Sequence, residues 1–370
     1  MGTYIWQLAS WPEFRWDSEA LLVQLGTVRR AQGRLLAVAR ELGLELELEA
    51  LSGEAVATSL VEGERLSEEL VRSSVARRLG IPTAGLPEPG PRVDALVEVL
   101  WDATRNHQAP VTKRRLCAWQ AALFPTGYSG LTRVSVGKWR SADRPMQVVS
   151  GPLGREKVHF EAPPAERVAP EMEQLLAWLR RPPAELDGLI AAALAQFWFV
   201  TIHPFEDGNG RVGRALSDLL LARDEGSGVR LYSMSAQIMA ERQAYYQHLE
   251  TAQRGDGDLT SWLAWFLGCL QRAMEHSWQQ VEAAQARARF WKQPACDALN
   301  PRQRKVLERL LEAGLGGFEG GLNNRKYRAL TKVSPEIAKR DLAHLLTLGL
   351  LMRNPGGGRS ASYSLVSPQD

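Results

Sequence analysis

Cysteine is scarce in this chain. Only Cys117, Cys269 and Cys296 occur in 370 residues, and no two of them form a CxxC pair. That rules out a disulfide-stapled scaffold and a Cys-based zinc site, and it points to a reducing compartment, the cytoplasm. Long hydrophobic runs are missing as well. No stretch of about 18 apolar residues goes uninterrupted, so no membrane span is expected. The opening MGTYIWQLASWPEF lacks the layout of a signal peptide. Trp6 stands where a myristoylation signal would place Ser or Thr. Charge of one sign is also lacking. Lys and Arg total 45 against 42 Asp and Glu, a net +3 that does not by itself argue for nucleic acid. Internal repeats and low-complexity tracts are absent. What remains, 45% hydrophobic and 24% charged, is ordinary for a globular enzyme, and the length fits two or three domains.

Against this background residues 203–214, HPFEDGNGRVGR, stand out. They supply a titratable base, His203, two carboxylates, Glu206 and Asp207, an amide, Asn209, and two guanidinium groups, Arg211 and Arg214. Gly208, Gly210 and Gly213 add a backbone that an anion can approach closely. Arginine forks match phosphate oxygens, and an aspartate can hold Mg²⁺ together with substrate phosphates. The inventory suits attack by a hydroxyl on a metal-bound polyphosphate.

The flanks predict a loop between two helices. Leu186–Ile202 is a long apolar run of helix formers. After the motif, Val212, Leu216, Leu219 and Leu220 share one helix face, and Gly226 supplies a stop. Gly208, Asn209 and Gly210 then sit at a helix N-terminus, where free N–H groups and the macrodipole favour an anion.

The string resembles the motif of the Fic family, HPFx[D/E]GNGRxxR, at every defined position. The resemblance implies transfer of a nucleotide monophosphate, usually AMP from ATP, to a Ser, Thr or Tyr hydroxyl of a target protein. It implies His203 as general base and Asp207 as ligand of an Mg²⁺ bridging the α- and β-phosphates. It assigns Gly208, Asn209 and Gly210 to the anion hole, Arg211 to the phosphates of the leaving group and Arg214 to the γ-phosphate. Phe205 would anchor the loop.

Three blocks are expected along the chain. Residues 1–90 read as helical and end in the linker GIPTAGLPEPGPR. Residues 91–285 carry the motif as the catalytic domain, and 295–370 follow a charged, Ala/Gln-rich connection. The tryptophan-rich opening is expected to dock on the body as an aromatic arm. In the first block, VATSLVEGE places Thr58 and Glu62 four residues apart, on one face if helical. This resembles the inhibitory motif [S/T]xxxE[G/N] of N-terminally inhibited Fic proteins, which implies Glu62 as the inhibitor.

MQVVS and VHF flank the turn GPLG, a hairpin signal. The resemblance implies that this segment, 146–160, is a flap over the site that aligns the target by strand pairing. His159 is read as surface or packing, and Arg140 and Arg144 as polar rim residues. Beyond the motif, Tyr245 and Tyr246 match a tyrosine pair that lies near the adenine in Fic proteins, where a phenol could stack on the base; each tyrosine taken singly reads equally well as a core aromatic. Trp262, Trp265 and Phe266 are read as core.

The last block predicts a capped helix at LNPRQRKVLERLLEAG, then a short helix, a turn at Val333–Ser334 and a helix opened by Pro335. A hairpin closes it. This order resembles a winged helix-turn-helix. Lys339, Arg340, Arg353 and Arg359 could meet DNA phosphates, while Glu336 and Asp341 dilute that charge.

The expected fold is therefore mostly α. It comprises an N-terminal helical region, a Fic core with a hairpin flap and a C-terminal winged helix. The expected function is an ATP- and Mg²⁺-using protein adenylyltransferase held in check by Glu62. The alternatives are a de-AMPylase, another nucleotidyl transferase, or a DNA-binding regulator whose core senses nucleotide. The partners implied are a protein target, ATP and no membrane; DNA and a homodimer stay open.

Overall fold

Helix-forming stretches punctuated by Gly, Pro, Ser and Asn build most of the chain. The structure, a computed structural model, describes residues 4–38, 43–83, 85–141, 145–150, 155, 157–313, 318–355 and 361–366. Among these described residues there are fourteen α-helices. The first five are α1 (Ser18–Val38), α2 (Gly43–Val61), α3 (Glu68–Arg78), α4 (Pro91–Arg105) and α5 (Lys113–Leu123). Next come α6 (Ala165–Arg180), α7 (Gly188–Ile202), α8 (Asn209–Glu225), α9 (Met234–Ala240), α10 (Arg242–Gln253) and α11 (Thr260–Trp291). The last three are α12 (Pro301–Glu312), α13 (Asn324–Thr331) and α14 (Pro335–Thr347). Three antiparallel hairpins complete the set: β1 (Tyr128–Ser129) with β2 (Thr132–Arg133), β3 (Gln147–Ser150) with β4 (Lys157–Glu161), and β5 (Leu351–Arg353) with β6 (Tyr363–Leu365). The mostly α expectation holds. The GPLG turn, Arg144 and Arg359 lie outside the described residues. No described helix is long and apolar enough to cross a membrane.

The chain divides into two compact units, Met1–Ser277 and Trp278–Asp370. In the first, α7 is the central element. Every residue from Leu189 to Ile202 is buried, which is why its sequence carries almost no polar face. Asp187 caps its N-terminus by accepting the Leu189 N–H at 2.8 Å. Helix α8 packs along α7, and Gly213 sets the approach. A Cβ there would come within 2.8 Å of Val200 Cγ1. Gly213 thus serves helix packing, whereas the sequence had grouped it with the anion-approaching glycines. Helix α8 ends at Gly226, whose φ of 60° provides the left-handed C-cap expected there.

Helix α2 is tied to α9 by one buried side chain. Glu54 Oε2 accepts from Ser235 N at 2.9 Å and from Ser233 Oγ at 2.7 Å, at the N-terminus of α9. The N-terminal arm docks through aromatics. Trp6 and Phe160 form a small buried cluster with Ala162, and Trp6 Nε1 donates to the Glu161 carbonyl at 2.7 Å. Trp11 Nε1 donates to Glu171 at 2.8 Å. The arm therefore braces the β3–β4 hairpin as well as the helical body.

In the second unit α12, α13 and α14 enclose a core that includes Val306, Leu310, Tyr327, Leu342 and Leu345. Asn300 opens α12 with a capping box to Gln303, and Ser334 and Pro335 open α14. The β5–β6 hairpin follows, and Leu322 pairs with Tyr363 through main-chain bonds of 2.8 and 2.7 Å.

Candidate active site

The site begins where α7 stops. His203 is its C-cap in the left-handed region (φ 54°, ψ 59°), so the chain turns sharply into the motif loop. Its ring Nδ1 lies 3.1 Å from the Val200 carbonyl. A carbonyl only accepts, so Nδ1 carries the proton and a neutral ring has its lone pair on Nε2. Burial depresses the His203 pKa below its ordinary 6.5, although the residue as a whole is only half-buried. The Arg140 charge lowers it further, while the Val200 carbonyl, Glu62 and Asp207 act in the opposite direction. The outcome is a neutral imidazole at pH 7, the form a general base requires.

Arg140 is not a rim residue. It is 4% exposed, and its Nε donates to the His203 carbonyl at 2.7 Å. Its Nη2 donates to the carbonyls of Pro163 and Ile202, and its main-chain N–H to Pro204 O at 2.8 Å. A long basic side chain finds three carbonyls inside the fold, and that outweighs solvation at the rim. Arg140 therefore fixes the backbone of the candidate base.

The loop is held from several sides. Phe205 is fully buried. The Asn209 side chain accepts from Phe205 N at 2.9 Å and donates to Phe205 O at 2.8 Å. Both ends of that amide are thus spent on loop shape, and only the Asn209 main-chain N–H faces the anion question. Gln120, fully buried on α5, donates to Ser135 O at 3.2 Å and Asp207 O at 3.4 Å, and accepts from Gly137 N. Glu206 accepts from Ser135 N at 2.7 Å and Ser135 Oγ at 2.6 Å, one bond per carboxylate oxygen. Asp207 uses Oδ1 to accept the Gly208 N–H at 2.6 Å. Its other oxygen has no partner among the described residues.

Helix α8 opens with an anion-ready end. Gly208 is its N-cap at φ 88°, and a Cβ there would sit 2.9 Å from Phe124 Cε2. The first main-chain bond returning to this end is Val212 N to Gly208 O. The N–H groups of Asn209, Gly210 and Arg211 find no acceptor among the described residues.

Both arginines of the motif are buried and already engaged. Arg214, 2% exposed, donates from Nε to Thr58 Oγ1 at 2.9 Å and from Nη2 to Thr58 O at 2.7 Å. Its Nη1 lies 2.8 Å from Glu62 Oε1. The N–H is not aligned along that contact, so this arm is an ion pair rather than a good hydrogen bond. Burial disfavours the Arg214 charge while the Glu62 carboxylate favours it, and the net shift of its pKa is upward. Arg211, 7% exposed, donates from Nη1 to Glu64 Oε2 at 3.0 Å and lies over the Phe124 ring, while its Nε has no partner.

Glu62 stands one residue past α2, in the turn that ends it, rather than on the helix with Thr58. That turn is a Schellman cap. Glu64 N donates to Ser59 O at 3.0 Å, Gly63 N to Leu60 O at 2.9 Å, and Gly63 holds φ +81°. Glycine or asparagine is favoured there because both tolerate the left-handed region. The carboxylate also crowds Gly210, where a Cβ would collide with Glu62 Oε1.

The two tyrosines part company. Neighbours on a helix point about 100° apart. Tyr245 is 2% exposed and packs 5.5 Å from Trp265 and 6.2 Å from Trp262, so its ring offers no open face. Tyr246 keeps part of its surface, and its hydroxyl donates to Val61 O at 3.3 Å. In the hairpin, His159 contacts Glu250 at 2.9 Å and is fastened to α10. Val149 and Val158 are exposed.

Residues 110–221 match the model of the Fic/DOC family. The chain carries a Fic/DOC family domain. Residues 4–81 match a second family, a domain of unknown function, DUF4172. Over 120 residues, 32% of this chain, the sequence is 32% identical to Protein adenylyltransferase Fic of Nematostella vectensis and covers 26% of it. Over 92 residues, 25% of this chain, it is 34% identical to Protein adenylyltransferase fic-1 of Caenorhabditis elegans and covers 17% of that protein. The matches thus span about a sixth to a quarter of these relatives. A Fic family protein from Desulfovibrio desulfuricans G20 superposes with a TM-score of 0.57 at 20% identity, over 96% of this chain and 98% of that one. A Fic domain containing signaling protein from Bacteroides thetaiotaomicron VPI-5482 gives 0.50 at 18% identity, over 70% and 98%. The fold is a mostly helical Fic fold with small hairpins.

Proposed function

We propose that the protein is an adenylyltransferase that moves AMP from ATP to a Ser, Thr or Tyr hydroxyl of a target protein, and that Glu62 restrains it. The observation that carries this reading is the position of His203. A neutral imidazole with its lone pair on Nε2 ends α7, beside the open N-terminus of α8 and its two buried arginines. The Fic domain match and the similarity to part of two adenylyltransferases support this reaction class.

In this reading the target hydroxyl oxygen bonds to the α-phosphorus of ATP as its proton passes to His203 Nε2. The bond from the α-phosphorus to the bridging oxygen breaks, and pyrophosphate leaves with that electron pair. The N–H groups of Asn209, Gly210 and Arg211 stabilise charge on the phosphate oxygens. Arg211 and Arg214 hold the phosphates of the leaving group. Asp207 fits a Mg²⁺ site, since it offers one uncommitted carboxylate oxygen and Mg²⁺ needs few protein ligands when phosphates supply the rest. When bound, Mg²⁺ would neutralise phosphate charge. Glu206 is unsuited to that role because Ser135 takes both its oxygens. In the hairpin the carbonyls of His159 and Glu161 on β4 are taken by Arg254 and Trp6, which leaves β3 as the open edge for a target strand.

Labelled ATP, GTP, CTP and UTP with Mg²⁺, scored for self-labelling of the full chain, test the reading. Label transfer from ATP that depends on His203 supports it. Release of AMP from a pre-modified protein without transfer would favour de-AMPylation, and labelling from another nucleotide a different donor.

One observation favours a DNA role for the second unit. Asp341, expected to dilute the basic face of α14, is buried at 3% exposure and bonded to Tyr327 at 3.0 Å and Arg302 at 3.1 Å. Lys339, Arg340, Arg325 and Arg353 are exposed, and Glu336 is the acid left among them.

A further inference from the structure

The turn that ends α2 delivers two carboxylates to the site, one on each side of Gly63. Glu62 meets Arg214 Nη1 at 2.8 Å, and Glu64 meets Arg211 Nη1 at 3.0 Å. The Schellman cap explains the pairing. A left-handed Gly63 reverses the chain within one residue, so the side chains before and after it project toward the start of α8. Both arginines that the proposed reaction assigns to phosphates are therefore occupied by acids from one turn.

We propose that Glu64 is a second inhibitory carboxylate, acting on Arg211 as Glu62 acts on Arg214. This rests on the reading of both arginines as phosphate ligands. Glu64 is the more secluded of the two acids, at 17% side-chain exposure against 33% for Glu62, while both arginines are buried, Arg211 at 8% and Arg214 at 2%. A phosphate oxygen that takes Arg211 must displace an anion already bound in a poorly solvated place. Glu64 has a second cationic neighbour behind it. Its Oε1 lies 2.5 Å from Arg92 Nη2, at the start of α4, while Oε2 faces Arg211. The side chain thus bridges two guanidinium groups, the exposed Arg92 and the buried Arg211. Arg211 Nε, buried and without an acceptor, is a donor that Glu64 leaves unserved and a phosphate oxygen would serve.

The two acids divide the work by phosphate. Arg214 is assigned to the γ-phosphate and Arg211 to the phosphates of the leaving group, of which a diphosphate still carries the β-phosphate. Glu62 then opposes triphosphates chiefly, whereas Glu64 opposes diphosphates and triphosphates alike. Removal of Glu62 alone frees one arginine of the two.

The test is the affinity of the full chain for ADP and ATP with Mg²⁺, by titration calorimetry, with thermal melting as a check on folding. The variants are Glu62→Gly, Glu64→Gln, Glu64→Ala, the Glu62→Gly/Glu64→Gln double, and Arg211→Ala as a control. We expect either Glu64 variant to tighten both ADP and ATP by about tenfold, the scale of one charge-assisted bond. Glu62→Gly should tighten ATP more than ADP, and the double variant should exceed both single variants for ATP. Unchanged affinities in both Glu64 variants, with Arg211→Ala weakening binding, would overturn the role of Glu64 and leave the reading of the site intact. No nucleotide binding by any variant, the double included, would overturn both.

Discussion

Arg140 Nε donates to the main-chain carbonyl of His203 at 2.7 Å, so a buried guanidinium holds the backbone of the candidate base. The same charge also acts on the ring. Burial is the larger reason that the His203 pKa lies low, and Arg140 lowers it further. Arg140→Met should therefore do two things. It should lower stability by about 1.5–3 kcal/mol, since carbonyls lose a charged donor inside the fold. It should also let the His203 pKa rise, so the acid limb of the pH–rate profile moves to higher pH. A variant that is less stable but keeps the wild-type limb would make Arg140 structural only.

The pH dependence of the unaltered protein follows from the same shift. The folded pKa of His203 lies below 6.5, so the ring stays neutral until the pH falls through that lower value. Transfer should hold from neutral pH down to about 6.5 and decline only below it. A decline centred above 7 would contradict the neutral-base assignment.

His203→Ala removes the candidate base and leaves the arginines and the α8 N-terminus in place. Transfer should fall by about 10²–10⁴-fold, the usual contribution of general-base catalysis, with nucleotide affinity largely retained. Transfer at the unaltered rate, measured on a Glu62→Gly background, would remove His203 from that role.

Asp207 and Glu206 are adjacent carboxylates with opposite expectations. Asp207→Ala should abolish Mg²⁺-dependent transfer. Glu206→Ala should keep it and instead lower the melting temperature, because it strands the Ser135 N–H and hydroxyl, at about 1–3 kcal/mol. The reverse pattern would mean the metal ligand has been misplaced by one residue.

For the second unit, binding of the full chain to DNA should weaken with salt by about 0.9 log units per log unit of salt for each phosphate contact. Lys339→Ala/Arg340→Ala should reduce that slope. A gel-shift series without binding at low salt would favour a protein-interaction role.

The motif was legible because its chemistry is local. One loop between two helices carries base, carboxylate, glycines and arginines, and the helix ends at Gly226 and Pro335 are written in residue type. The residues that steady the motif come from far along the chain. Arg140 lies 63 positions from His203, and Glu64 lies 147 from Arg211, separations that no periodicity encodes. Gln120 left a faint signal, as an amide at a core position among Leu116, Cys117, Trp119 and Leu123. Asp341 misled because a charge on a helix reads as solvated until its partners, Arg302 and Tyr327, are known. Tyr245 could be read either as a base-stacking ring or as core, since a tyrosine pair says nothing about which ring the tryptophans of α11 will cover.

The central claim is that Glu62 restrains transfer through Arg214, and its direct measurement is incorporation of labelled AMP by Glu62→Gly beside the unaltered protein. The carboxylate occupies the guanidinium and places negative charge where a triphosphate must lie. Its removal should raise self-labelling by about tenfold or more, the scale of one charge-assisted contact. Arg214→Ala should give no such rise, since it removes the phosphate ligand together with the partner of Glu62. Equal labelling by Glu62→Gly and the unaltered protein, or activation by Arg214→Ala, would contradict the account.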